Sequence, residues 1–229
     1  MSKRITIAID GHSSTGKSTM ARQLAKELGY VYVDSGAMYR CVALYAMQNG
    51  MYAPSLNVQQ LISSLDDIQI SFALDSESGK NHPHLNRVDV EEQIRGMEVS
   101  SKVSEVAAIS EVRKRLVALQ QEMGKGKGVV MDGRDIGTVV FPDAELKIFM
   151  TASAQVRAQR RFDELKEKGQ RVSFEDVFRN VVERDETDSN RADSPLIMAK
   201  DARLLDNSEI SREAQFNLAL GWAKEAINK

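Results

Sequence analysis

The chain has 229 residues, of which 31 are basic and 33 acidic, long enough for one large domain or one domain with a smaller insert. So even a balance gives no reason to expect polymeric nucleic acid or an anionic membrane as partner, and any cluster of arginines calls for a local anion. The single cysteine, Cys41, rules out an internal disulfide or a cysteine-built zinc site and reads as a small core residue. Lys3-Arg-Ile-Thr-Ile-Ala-Ile-Asp10 sets Ile5, Ile7 and Ile9 between small residues, the pattern of a buried strand. That apolar run is too short for a secretory signal, no stretch approaches a bilayer span, and the expected compartment is the reducing cytoplasm.

Residues 11–18, Gly-His-Ser-Ser-Thr-Gly-Lys-Ser, match the phosphate-binding loop pattern in full. Gly11 and Gly16 permit the tight turn that points successive N–H groups at phosphate oxygens. Lys17 reaches the outer phosphates and the Ser18 hydroxyl suits the Mg²⁺ that travels with them. The whole segment Gly11, His12, Ser13, Ser14, Thr15, Gly16, Lys17, Ser18 and Thr19 is thus the expected ATP-binding loop, with His12 as filler rather than a base. Met20, Leu24 and Leu28 then recur at helical spacing up to a stop at Gly29, so a helix N-terminus faces the phosphates.

Four further strands are expected: Tyr30–Val33, Gly128–Met131, Leu146–Met150 and Ala202–Leu205. Polar residues gather where three of them end, at Asp34-Ser35-Gly36, at Asp132-Gly133-Arg134-Asp135 and at Asp206, the side on which open α/β sheets bind ligands. Alternating strands and helices imply an α/β fold with a mainly parallel sheet flanked by helices. Residues 65–95 break the pattern. Ile68–Leu74 alternates as a strand, Asp75–Pro83 is a polar loop and His84–Val88 returns, giving a small antiparallel insertion. Glu98–Gly124 is one long helix-compatible segment, with Val99, Val103, Val106 and Val112 among its apolar positions. Ile210–Lys229 reads as an amphipathic helix capped by Ser211, with Leu218 and Trp222 four residues apart and Trp222 as a packing anchor.

Phosphoryl transfer requires neutralising a group in flight, and arginine's planar fork suits phosphate. Arg157, Arg160 and Arg161 share one expected helix, where their mutual repulsion favours an anion site, and Arg171 follows Gly169. The charged segment 164–171 suits a lid closing over ATP.

Three further segments carry a family resemblance: Asp34-Ser-Gly-Ala-Met-Tyr-Arg40, Asp132-Gly-Arg-Asp-Ile-Gly-Thr-Val-Val-Phe-Pro142 and Glu183-Arg-Asp-Glu-Thr-Asp-Ser-Asn-Arg191. In this order after the phosphate loop, they resemble bacterial cytidylate kinases over nearly the whole chain. The resemblance implies a P-loop kinase core at 1–64 and 96–229 with a helical lid near 154–172, and a nucleoside monophosphate-binding insertion at 65–95. It implies transfer of the ATP γ-phosphoryl group to CMP or dCMP, by a monomer. Arg40 and Arg134 match arginines near the acceptor phosphate, and Arg184 and Arg191 match others around phosphates and sugar. Ser104, Arg113 and Asp135 match positions facing the cytosine, Tyr39 and Asp188 positions near the ribose, and Ser35 lies in the same pocket.

Asp135 can accept from the exocyclic amine of cytosine and would oppose the carbonyl that uracil carries there. Asp132 closes its strand as a carboxylate for the Mg²⁺ water shell, with Asp34 the lesser candidate. Ser14-Thr15 stands where many members carry Gly-Ala, Thr187 where arginine can occur, and Arg87 where glycine is common. Two rivals remain at this stage: a kinase for another monophosphate or small molecule, and a nucleotide-dependent switch ATPase.

Overall fold

The computed structural model describes residues 3–75 and 81–229. Five strands form the main sheet: β1 (Thr6–Gly11), β2 (Val31–Asp34), β6 (Val129–Gly133), β7 (Leu146–Thr151) and β8 (Arg203–Asp206), in the order β2-β6-β1-β7-β8. The pairings of β1 with β6, β1 with β7 and β7 with β8 are all parallel. A second, antiparallel sheet holds β3 (Ile70–Leu74), β4 (Asn81–Leu85) and β5 (Val88–Asp89). The chain divides into two compact units, Met1–Tyr32 with Gly124–Lys229, and Val33–Met123.

In the first unit every residue of β1 is buried, as a central parallel strand covered on both faces requires. Ile5, Ile7 and Ile9 share a core with Met20 and Leu24 of α1 (Lys17–Leu28), Ile148 and Met150 of β7, and Ala219 and Ala223 of α9 (Arg212–Ile227). Gly29 ends α1 in the left-handed conformation, at φ 66°, as its position after Leu28 predicts. Ser211 caps α9 through the N–H of Ala214. The face α9 buries differs from the expected one: Leu218 is exposed, and Ala219, Ala223 and Ala226 turn inward. Small side chains let this helix lie close against the core, where a leucine would hold it off. Trp222 does pack against that core at its margin, with the Arg203 guanidinium over its ring.

The second unit carries α2 (Ser35–Gln48), α3 (Val58–Ser63), α4 (Glu91–Arg95), α5 (Met97–Ala107) and α6 (Ser110–Gly124), with the antiparallel sheet. The expected single helix over 98–124 is two, broken at Ala108 and Ile109. Both residues bond back at 3₁₀ spacing, to Glu105 and Val106, and the Arg113 guanidinium takes the terminal carbonyl of Ala107 at 3.2 Å. The expected return strand over 84–88 is also divided. β4 begins at Asn81, and the chain reverses at Asn86-Arg87 before β5. Of the expected polar loop, residues 76–80 lie outside the described residues. Cys41 is fully buried and burial pushes its thiol up to about 12, in keeping with a core role.

Candidate active site

Strand ends supply the site of the first unit. β1 runs into the phosphate loop, where Gly11 has φ 145° and a Cβ would stand 2.0 Å from the Met150 carbonyl oxygen. No other residue fits there. Gly16, at φ 87°, opens α1, and Ser14 takes a left-handed φ of 60° without being glycine. The Lys17 ammonium donates to the His12 carbonyl at 2.7 Å and the Thr15 hydroxyl to the same oxygen at 3.1 Å. Burial, then repulsion by Arg134, lowers the Lys17 pKa to about 7.

Ser18 and Asp132 meet across β1 and β6: the serine hydroxyl donates to Oδ2 at 2.9 Å, and Tyr32 donates to Oδ1 at 2.7 Å. The carboxylate is 4 % exposed. Tyr32 thereby fixes the rotamer that presents Asp132 to the loop. Asp34 is otherwise engaged. One oxygen caps α2 through the Ala37 N–H and the other accepts from Arg95, both at 2.9 Å. Burial opposes its ionisation, but Arg95 and Arg40 outweigh that and hold its pKa low.

Beyond β6, Arg134 donates to Asp188 at 2.7 Å, and Arg191 stands 3.7 Å from Asp135. Asp188 belongs to α8 (Phe174–Asn190). Its burial raises the pKa, yet Arg134, Arg184 and Arg191 together drive it below the ordinary value. The first unit thus brings Arg134, Asp135, Arg184, Asp188 and Arg191 together. In the second unit, Ser35 and Tyr39 are buried at the start of α2, and the nearly buried Arg113 guanidinium lies 5.5 Å from the Tyr39 ring centre. Arg40 lies within charge range of Asp34, and Ser104 sits half-buried on α5.

The cytidylate kinase family model matches residues 7–224. The chain belongs to the cytidylate kinase family. A cytidylate kinase from Flavobacterium johnsoniae is 60 % identical over 98 % of this chain and 98 % of its own length. Those from Bacteroides fragilis and Parabacteroides distasonis are 57 % and 59 % identical, over 98 % and 99 % of this chain and 99 % and 98 % of theirs. Among solved structures, an uncharacterized protein from Eubacterium ventriosum is similar at TM-score 0.53 and 10 % identity, covering 97 % of this chain and 99 % of that one. A gluconokinase from Sinorhizobium meliloti is similar at TM-score 0.50 and 13 % identity, covering 100 % and 97 %. These two likenesses speak for the fold alone.

In this member of the cytidylate kinase family, the three arginines of α7 (Ala154–Glu167) each have a protein partner. Arg157 pairs with both oxygens of Asp185, at 2.9 and 2.5 Å, and donates to the Ala152 carbonyl. Arg160 donates to the side chain and carbonyl of Asn207, at 3.0 and 2.9 Å. Arg161 pairs with Glu164 on its own helix. Their repulsion is therefore relieved without a ligand.

Several residues of the site were not singled out by the sequence. Asn207 is 2 % exposed and donates to the Thr15 carbonyl at 2.7 Å and to Gln215 at 2.6 Å, tying the phosphate loop to α9. It directly follows Asp206 at the end of β8, so the strand-end rule that marked Asp34 and Asp132 also reaches it. Asp185 binds Arg157 and lies 3.3 Å from His12, giving that loop histidine a partner. Asp10 is 5 % exposed, and burial raises its pKa to about 6 against two backbone hydrogen bonds that favour the anion.

Proposed function

We propose that this chain transfers the γ-phosphoryl group of ATP, as its Mg²⁺ complex, to the 5′-phosphate of CMP or dCMP. The observation that carries the reading is the convergence of Arg134, Arg184 and Arg191 on Asp188 beside the phosphate loop. Three guanidinium groups with the two carboxylates Asp188 and Asp135 among them still leave net positive charge for a second phosphate, and a nucleotide switch has no use for one. Family membership gives the acceptor its identity.

Ser18 and Asp132 fit Mg²⁺: the hydroxyl would ligate the ion and the carboxylate 2.9 Å from it would hold the ion's water shell. Among the described residues no cluster of three His, Cys, Asp or Glu side chains could hold a metal unaided. When bound, the ion neutralises charge on the outer phosphates. Asp132 is the better candidate of the two carboxylates, because it already contacts the Ser18 hydroxyl, whereas Asp34 is paired with the Arg95 cation.

The loop N–H groups of residues 11–19 would cradle the donor phosphates, with Lys17 exchanging the His12 carbonyl for a phosphate oxygen. The acceptor phosphate is largely ionised at neutral pH, its second pKa being about 6, so no general base is needed. Lys17 and Arg134 supply charge stabilisation, Arg157, Arg160 and Arg161 add theirs where a phosphate oxygen replaces part of their contacts to Asp185, Asn207 and Glu164, and positioning does the rest. Arg40, Arg134, Arg184 and Arg191 take the acceptor phosphate and sugar, Tyr39 and Asp188 the ribose. Ser104, Arg113 and Asp135 read the base, and Ser35 contributes to binding the acceptor. Residues 65–95 serve as the monophosphate-binding insertion and 154–172 as the lid of a monomeric cytoplasmic enzyme.

The experiment is ADP release from MgATP with CMP, dCMP, UMP, AMP and GMP offered separately. Stimulation by CMP and dCMP, weak with UMP and absent with purines, is the expected outcome. Preference for a purine would overturn the acceptor, and slow release indifferent to any acceptor would overturn the kinase reading.

A further inference from the structure

The two residues proposed to read and hold the acceptor, Arg134 and Asp135, form a crest with no regular secondary structure of its own. It rises between the end of β6 at Gly133 and a π-helical turn over Ile136–Val140. What fixes it lies on the neighbouring strand. Asp10 is the register partner of Gly133 in the parallel β1–β6 ladder, so its backbone holds the near end of the crest. Its side chain holds the far end: Oδ1 accepts the Ile136 N–H and Oδ2 the Gly137 N–H, each at 2.7 Å.

The far end is clamped a second time. Lys147, 7 % exposed on β7, donates to the Pro142 carbonyl just past the turn and to both oxygens of Asp201, at 2.9 and 2.8 Å. Gly137 is wedged between the two clamps. A Cβ there would stand 3.2 Å from the Asp10 carboxylate and 3.3 Å from the Lys147 side-chain carbons. A Cβ would press on both clamps, and the carboxylate or the lysine chain would have to give by a few tenths of an ångström.

We infer that Asp10 is a positioning residue for acceptor recognition: it sets the height and direction of Arg134 and Asp135 through the Ile136–Gly137 backbone, with Gly137 as the point of close approach. This inference rests on the cytidylate kinase reading above. Asp10 itself touches no substrate in it. A carboxylate is the group this clamp needs, because both its oxygens accept. The amide of Asn would turn one donor against a backbone N–H and leave that buried group unpaired.

Asp10 is also within charge range of Lys17, so its effect could instead pass through the phosphate loop. Two variants separate the routes. Asp10→Asn breaks one arm of the clamp and removes the charge together. Gly137→Ala displaces the turn by one methyl and leaves every charge in place, and it carries the test alone if Asp10→Asn does not fold. Steady-state kinetics with CMP, UMP and ATP varied in turn is the measurement.

In both variants KM for CMP should rise about tenfold and the CMP-to-UMP ratio of kcat/KM should fall by a similar factor, with KM for ATP within about twofold of the parent. A rise in KM for ATP in Asp10→Asn with Gly137→Ala unaffected would overturn the inference in favour of Lys17. So would an equal loss of kcat on CMP and UMP with both acceptor KM values unchanged. If the unaltered enzyme prefers an acceptor other than CMP or dCMP, the functional reading has failed, and unequal effects on acceptor and ATP still report on the clamp.

Discussion

Arg157 and Asp185 share two hydrogen bonds, one arginine nitrogen to each carboxylate oxygen, with the arginine side chain 4 % exposed and the carboxylate 19 %. The pair joins α7 to α8, and Arg157 also reaches the Ser13 carbonyl of the phosphate loop at 3.4 Å. Removing the carboxylate leaves a buried guanidinium with its charge uncompensated. Asp185→Ala should therefore lower unfolding free energy by about 3 kcal/mol, because a buried pair broken on one side retains the full desolvation penalty. His12→Ala, which removes a partly exposed partner 3.3 Å away, should cost less than about 1 kcal/mol. Urea unfolding of both variants, read by the midpoint at constant slope, checks the contrast.

Lys17 lies at the other end of the same loop, and its charge is costly to hold there. Its folded-state pKa of about 7 is below the ordinary 10.5, so between those values the unfolded chain binds the proton more readily. Stability then rises with pH across that window, and the penalty is full below pH 7. Lys17→Met should be inactive, with turnover down on the order of 10²–10³-fold or more, yet more stable than the parent at pH 6. The difference in melting temperature should narrow as pH climbs from 7 to 9. Near-normal turnover by this variant would sink the assignment of Lys17 to transfer.

Where a signal was local, the sequence carried it. Gly11, Gly16 and Gly29 occupy the left-handed or close-contact positions their motif and helix-end locations require. The four further strands of the main sheet fall within a residue or two of their expected bounds, because short apolar runs and the polar residues at their ends mark them within a few positions. What escaped was non-local. Nothing near Arg157 in the chain announces Asp185, and nothing near Thr15 announces Asn207. The break at Ala108 has no glycine or proline to signal it and is sealed by Arg113 a turn later. On α9 the burying face is chosen by how closely Ala219 and Ala223 let the helix approach, which hydrophobicity alone does not rank.

Asp135 tests the base-reading proposal. It is 5 % exposed, lies on the crest after β6 and has Arg191 at 3.7 Å. Asp135→Asn keeps size and one acceptor oxygen but adds a donor able to meet the uracil carbonyl. The ratio of kcat/KM for CMP over UMP should fall by about 10²-fold, since a site built to pair with one polar group discriminates chiefly by leaving the wrong one unpaired. An unchanged ratio would remove Asp135 from recognition of the base.

The two departures from family glycines have a common physical meaning. Ser14 has φ 60° and Arg87 φ 70°, both left-handed positions where a Cβ is strained. Arg87 follows Asn86, at φ 49°, in the two-residue connection between the Leu85 and Val88 pair, so both central residues have the positive φ of a type I′ turn. Asn86 suits its place: its side chain accepts the Gln69 N–H and its own N–H bonds the Gln69 carbonyl, both at 2.8 Å. Arg87 is exposed and has no comparable compensation in its backbone. Arg87→Gly should thus raise stability by about 0.5–1 kcal/mol, the relief of left-handed strain exceeding the entropy gained by the unfolded chain. Ser14→Gly should act in the same direction with a smaller net gain, because added freedom in the phosphate loop offsets part of the relief. Arg87→Ala is the control, since it removes the charge and keeps the Cβ. If thermal unfolding shows Arg87→Ala stabilised as much as Arg87→Gly, charge rather than backbone strain is what the arginine contributes.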